Sequence, residues 1–464
     1  MGTRGHDRSL WIAVGLIALA GLVLRVLGAQ GALWLDEAWS ATLAHDAGTP
    51  IGVFLNINHD NNHHLNSLWL QFVGLGASPL LARAPAILTS TLAIIVAALI
   101  AAPRGRVAAL VTAWLFAISP ILVTLGSEAR GYAPMSLALL TAIAVVDRQL
   151  AGSDYRPRLA LSLCFFLGAL SQLTMVFGVC AVVGWYAFAM WRRVGFMQAV
   201  GATLRLFAVP LIALAAALAL VFVPALLSPT GFQFGRYDPF AAMMYLHGVV
   251  EMIGYTIAIP IGTGWLIAGV LVLVVLSRGA GASNQAFYRL AIVAFPLMLA
   301  ILQSGNVGHP RYYLVASIAL LLLIGELVAI GWRAGGWRRW FVSAALLATT
   351  VPSLVLDIDL IRNQRGDAGA AVRTLQMRAP GGATVGLDRD TGYAMIEQSA
   401  ANHRYPLTIQ KSLCPPQRFL LIDRFKGESL PVAVTRCGAH YLPIDGRHAR
   451  GLSGTHWTLY ERRP

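Results

Sequence analysis

Two adjacent carboxylates, Asp36 and Glu37, stand in the stretch Leu33-Trp34-Leu35-Asp36-Glu37-Ala38-Trp39-Ser40, just past the first long apolar run. Tryptophan prefers the lipid–water boundary because its ring is apolar and its N–H wants a polar partner. The pair is therefore expected at the bilayer surface, where a base can act on a substrate with its tail in lipid and its head in water. Three more polar groups occur at the ends of apolar runs. The segment Asn58-His59-Asp60-Asn61-Asn62-His63-His64-Leu65-Asn66 admits three readings. His63, His64 and Asn66 would hydrogen-bond a sugar or phosphate at a helix N-terminus. His59, Asp60 and His63 would suit a divalent metal by chemistry, though their spacing matches no standard motif. A plain polar cap is the third.

The next group is Ser127-Glu128-Ala129-Arg130-Gly131-Tyr132. An ionisable group at membrane depth costs about 2.5–3.5 kcal/mol on insertion scales, so it lines a cavity or is paired. Glu128 and Arg130 would do the first as part of a site, or the second by closing a helix hairpin on each other. The last group, Gly308-His309-Pro310-Arg311-Tyr312-Tyr313, sets an arginine at the mouth of a span. Its planar fork matches phosphate, and its long stem would equally reach lipid headgroups. Carboxylates and two arginines together suit transfer from a phosphate leaving group: a base takes a hydroxyl proton while cations hold the departing phosphate. A single carboxylate acting as base, with no covalent step, inverts an anomeric carbon. Elsewhere Arg83, before Pro85, reads as an interfacial anchor and Glu326 as internally paired. His247 and Glu251, four apart, share one helical face.

The elements that must position these groups are membrane helices. The chain is 57% hydrophobic and only 12% charged, against about 25% charged in soluble domains. Its net charge of +14 comes largely from arginines in short loops such as 103–106, 191–193 and 337–339. That is the pattern of cytoplasmic loops, and it argues against nucleic acid as a partner. Apolar segments fall near 10–28, 64–77, 80–101, 107–125, 131–148, 158–174, 176–191, 203–226, 243–258, 260–278, 286–303, 311–331 and 338–356. Of these, 64–77 and 243–258 are short or interrupted and read as partial crossings. The expectation is an all-α polytopic membrane protein with about 11–13 transmembrane helices in residues 1–356. Its N-terminus lies in the cytoplasm, and its first outer loop spans 29–63. Residues 357–464 turn polar, with short alternating runs at 384–387, 419–422 and 457–460, and read as a small α/β domain outside the membrane. Cys414 and Cys437 in that tail are expected to form a disulfide, whereas Cys164 and Cys180 read as small core residues.

At these residues the sequence resembles the GT-C glycosyltransferases, in the bacterial branch related to protein O-mannosyltransferases and the aminoarabinose transferase of lipid A (glycosyltransferase family 39-like). The matching points are Asp36-Glu37 after the first span, the polar run into His64-Leu65-Asn66-Ser67-Leu68, Arg83-Ala84-Pro85, Glu128-Ala129-Arg130-Gly131-Tyr132 and Pro310-Arg311-Tyr312. The family often has Pro-Pro-Leu where this chain has His63-His64-Leu65. The resemblance implies a polyprenyl-phosphate-linked sugar as donor and chemistry on the periplasmic side of a bacterial inner membrane. It also implies Asp36 as the base and Glu37 as a supporting acid, or as the group that orients Asp36 or a metal. Glu128, Arg130, Tyr132, His63, His64, Asn66, His309, Arg311 and Tyr312 become candidates for donor contacts, with a glycan, lipid or protein as acceptor. Two other classes compete. A flippase or transporter of lipid-linked sugars would put charge near the bilayer midplane and often shows repeats, and no repeat is seen. An O-antigen-type polymerase or ligase would carry arginine-rich outer loops, whereas 228–242 holds only Arg236.

Overall fold

The computed structural model describes residues 3–152, 157–235, 237–259, 263–276, 282–411 and 414–463; Arg236 lies outside them. The chain forms two compact units. One comprises 1–25, 86–126 and 131–357; the other comprises 26–85, 127–130 and 358–464. The polar tail, 358–464, is one part of the second unit. The loop after the first span and the four residues Ser127–Arg130 belong to that unit as well.

The first unit is helical. Among the described residues, seven helices of the chain are long and apolar enough to span a membrane, from Arg8–Gly28 to Gly336–Gly366, and four shorter apolar helices accompany them. The segment expected as one span at 107–125 is broken into Arg106–Ile118 and Pro120–Leu125. Pro120 has no N–H to give the carbonyl four residues back, and that carbonyl, on Phe116, accepts instead from Arg25 Nη2 at 3.0 Å. Arg25 is buried inside the run read as plainly apolar. It also donates to Ser90 Oγ at 2.6 Å and to the carbonyls of Gly21 and Ala117 at 3.0 Å. A cation tolerated at that depth is thus one whose donors repair a broken helix. Glu326 pairs internally as expected, with Arg104, which also lies 3.6 Å from Asp147. His247 Nε2 stands 3.6 Å from Glu251 Oε1 on their shared face.

The second unit is built on a six-stranded mixed sheet: β1 (Ala383–Leu387), β2 (Leu407–Gln410), β3 (Phe419–Arg424), β4 (Val434–Arg436), β5 (Ala439–Arg447) and β6 (His456–Arg462). Their spatial order is β2-β1-β3-β6-β5-β4, with β1 parallel to β2 and β3 and the remaining pairs antiparallel. Three alternating runs in the tail become β1, β3 and β6. Side chains alternate across a strand, so Phe419, Leu421, Trp457 and Leu459 face one core while Leu420, Ile422 and Tyr460 face the other. The first core also takes Leu33, Ala38, Ala41, Ala44, Leu70, Ala82 and Ala129. The helix Leu35–Asp46, which carries the two carboxylates, joins this core by packing on the helix Thr391–Asn402, which itself contacts β2 and β3. Burying each large apolar side chain of such a core contributes about 1.5–3 kcal/mol. The expected disulfide is present: Cys414 and Cys437 are joined with Cα atoms 5.9 Å apart, next to the β4–β5 turn.

Candidate functional site

Trp34 caps the helix Leu35–Asp46, which begins one residue before Asp36. Neighbouring residues on a helix point about 100° apart, so the adjacent carboxylates leave it for different surroundings. Carboxylates in a first turn also suit the positive end of the helix dipole. Glu37 turns inward and is fully buried. It accepts from Arg83 Nε at 2.8 Å and Nη2 at 2.6 Å, from the Ala129 amide at 2.5 Å and from the Trp34 amide at 3.1 Å. Burial pushes its carboxyl up, but Arg83 outweighs that and holds it below the usual carboxylate range. Glu37, expected as a supporting acid or as the group that orients Asp36 or a metal, is closed off by four donors.

Arg83, expected as an interfacial anchor, is its fully buried partner. Its remaining donors go to the carbonyls of Ala29 at 2.7 Å, Gly31 at 2.9 Å and Ala32 at 3.0 Å. A two-pronged arginine–carboxylate pair with every other donor satisfied is what makes burial of both charges tolerable. The chain leaving the first span is wrapped around this guanidinium.

Asp36 keeps 22% of its side chain exposed, and its Oδ2 accepts from Arg130 Nη1 at 2.6 Å. Arg130 also donates through Nη2 to Asn61 Oδ1 at 2.8 Å and through Nε to His63 Nε2 at 3.2 Å. Asn61 in turn donates to the Asp36 carbonyl at 2.8 Å. The Arg130 cation lies 5.9 Å from the centre of the Trp34 ring, close enough for a cation–π attraction. Trp34 is buried, with its ring facing that charge.

Glu128 does not close a hairpin with Arg130. Its carboxylate is fully buried, Arg365 Nε is 3.5 Å from its Oε1, and burial, only partly offset by Arg365, raises its pKa. Asn66 Nδ2 donates to the Ala129 carbonyl at 2.6 Å. His64 stacks on Phe54 with ring centres 5.1 Å apart, and burial lowers its pKa to about 4, so the ring is neutral. His63, His64, Asn66 and Glu128, expected as sugar or phosphate contacts, are thus all buried side chains.

The metal reading fares no better. His59 Nδ1 lies 2.9 Å from Asp60 Oδ1, but His63 turns to Arg130. Among the described residues no three His, Cys, Asp or Glu gather as a metal would require. The set His59, Asp60 and His63 does not fit a divalent ion.

The remaining candidates belong to the first unit. Tyr132, expected as a donor contact, opens the helix Tyr132–Leu150 and is buried. His309, Arg311 and Tyr312 lie at the 3-10 turn Pro310–Tyr313, with the Arg311 cation 5.6 Å from the centre of the Tyr312 ring. Sequence reasoning missed Asn61 as a partner of Asp36, Arg83 as the counter-ion of Glu37 and Arg365 altogether. A signal existed for Arg83, since a charge inside an apolar run needs a counter-ion. Arg365 lies in a polar stretch where an arginine is unremarked.

No family model matches the sequence, and no curated protein is significantly similar to it. Solved structures do match. ArnT from Cupriavidus metallidurans in the apo state aligns over 98% of this chain and 98% of its own, with a TM-score of 0.57 at 12% identity. The same protein bound to undecaprenyl phosphate aligns over 96% and 97%, with a TM-score of 0.55 at 14% identity. The apo oligosaccharyltransferase of Archaeoglobus fulgidus gives a TM-score of 0.50 at 13% identity over 87% of this chain. This chain spans only 64% of that protein's length. At such identity the likeness is one of fold.

Proposed function

We propose that this chain, a polytopic membrane protein with the GT-C glycosyltransferase fold, moves a sugar from a polyprenyl-phosphate donor to an acceptor with inversion, using Asp36 as base. The observation that carries this reading is the contrast in exposure around the loop. Glu37, Glu128, Arg83 and Arg130 are each at most 4% exposed, while Asp36 keeps an open face and is held by a fixed arginine. In the step, the acceptor hydroxyl oxygen bonds to the anomeric carbon and the bond from that carbon to the phosphate oxygen breaks. The electron pair leaves with the polyprenyl phosphate, and the hydroxyl proton passes to the Asp36 carboxylate. Arg130 keeps that carboxylate oriented, so no reorganisation is needed as the proton moves. The undecaprenyl phosphate held by ArnT supports this class of donor. Arginine-rich short loops support a bacterial inner-membrane protein with a cytoplasmic N-terminus and chemistry on the periplasmic face. The acceptor is a glycan, a lipid or a protein.

Reconstituted protein given polyprenyl-phosphate pentose or hexose releases polyprenyl phosphate and yields a product of inverted configuration, read by NMR of the new linkage. Retained configuration, or no release with either sugar class, defeats the proposal. Arg311 is a proposed contact for the donor phosphate. Arg311→Ala raises the KM for donor about tenfold, as expected for loss of a charge-assisted hydrogen bond worth about 1.5–3 kcal/mol. An unchanged KM assigns Arg311 to lipid headgroups.

A further inference from the structure

Arg365 lies eight residues into the C-terminal part of the second unit, 358–464, and its guanidinium reaches residues far from it in sequence. It is 1% exposed. Nη1 donates to the Gly28 carbonyl at 2.6 Å and Nη2 to Ser127 Oγ at 2.8 Å, with Nε 3.5 Å from Glu128. The backbone around it is strained: Gln364, Arg365 and Asp367 all have positive φ, at 50°, 56° and 26°. Non-glycine residues hold such a conformation only where the surroundings over-determine it. Here they do. The Ala32 amide donates to Asp367 Oδ1 at 2.9 Å, Trp457 Nε1 to the Gly366 carbonyl at 2.5 Å and the Thr455 amide to the Arg365 carbonyl at 3.3 Å. The sheet thus holds this turn in place, and the turn delivers one cation to two distant segments.

Those segments carry the site. Residues Ser127–Arg130 belong to no helix or strand and are held from outside. Glu37 takes the Ala129 amide, Asn66 takes the Ala129 carbonyl, and Arg365 takes Ser127 and the charge of Glu128. Arg130 is what remains, and it meets Asp36. We propose that Arg365 is a positioning residue for the transfer: by anchoring Ser127 and Glu128 it sets the place of Arg130, and through it the orientation of Asp36. The catalytic half of this inference rests on the glycosyltransferase reading; the anchoring half does not.

The test compares Arg365→Ala, Arg365→Lys and Ser127→Ala in the full-length protein, with two readouts. The first is kcat and KM for donor; the second is amide hydrogen exchange in peptides covering 127–131. Arg365→Ala lowers kcat at least tenfold, leaves KM within twofold and speeds exchange through 127–131. Arg365→Lys keeps a charge near Glu128 but cannot serve Gly28 and Ser127 together, and recovers part of kcat. A kcat within twofold of wild type, a loss confined to KM, or a kcat loss without faster exchange overturns the proposal. Should Arg365→Ala fail to fold, Ser127→Ala decides: it lowers kcat about threefold at constant KM, and an unchanged kcat overturns the proposal. Wild-type protein that releases no polyprenyl phosphate defeats the glycosyltransferase reading, while exchange in the variants still reports whether Arg365 anchors the loop.

Discussion

Asp36→Asn abolishes sugar transfer, lowering turnover at least a hundredfold, while donor affinity and the yield of folded protein stay near wild type. The magnitude follows from the role: a positioned general base contributes about 10²–10⁴ in rate. The substitution is nearly isosteric and keeps an oxygen to accept from Arg130 Nη1, now 2.6 Å away. The amide cannot take the acceptor's proton, so only the chemical step suffers. Asp36 is partly exposed, so the Asn itself is not a newly buried unsatisfied group. Arg130, 4% exposed, loses its charge partner but keeps its hydrogen bonds to Asn61 and His63, so a moderate loss of stability accompanies the change. Release of polyprenyl phosphate under single-turnover conditions measures the effect, with donor binding measured separately. A variant that transfers at the wild-type rate removes Asp36 from the role of base. One that merely fails to bind donor makes it a binding residue.

Arg83→Ala destabilises the second unit by about 3–5 kcal/mol, because removing one partner leaves the other charge buried and uncompensated. Glu37 has no water to turn to: its oxygens are surrounded by Arg83, the Ala129 amide and the Trp34 amide. Replacing both partners, as in Glu37→Gln with Arg83→Met, recovers a substantial share of that loss, since neither charge then has to be desolvated. The effect also depends on pH, with a sign that can be worked out. In the wild type Arg83 holds Glu37 below the usual range, so the pair's contribution is present above the unfolded carboxyl pKa of about 4.3. It is lost as pH falls through the lower folded value. Without Arg83, burial dominates and raises the carboxyl pKa, so the folded variant gains stability as it takes up a proton. The deficit of Arg83→Ala is therefore smaller at pH 5 than at pH 7.5. Thermal unfolding in detergent at the two pH values checks this, and an equal deficit at both shows that the buried charge is not its source.

What could be read from the sequence was local. Apolar runs located the helices, and two-residue alternation located β1, β3 and β6. The stretch around Asp36 marked the end of the first span. What could not be read was which distant charge answers which. Arg83 beside Pro85 looks like a surface anchor because nothing near it in the chain needs a cation; its partner Glu37 is supplied by another loop. Glu128 and Arg130, two residues apart, invite pairing with each other, yet the backbone between them sends one to Arg365 and the other to Asp36. The histidine and asparagine run was legible as polar, but its hydrogen bonds to Arg130 and to the Ala129 carbonyl were not, since those partners come from a segment more than sixty residues away. The break at Pro120 was legible in principle from the missing N–H. The donor that repairs it, Arg25, was hidden in a run that reads as lipid-facing.

The second unit is stitched from three stretches, 26–85, 127–130 and 358–464, and the ribosome delivers them far apart in time. Glu37 and Arg83 can find each other early, while most of the protein is still unmade. Glu128 must wait for Arg365, which emerges only after the membrane helices have been threaded into the bilayer. A chain that stops short of residue 365 therefore lacks the donor that Ser127 and the charge that Glu128 meet in the full-length protein.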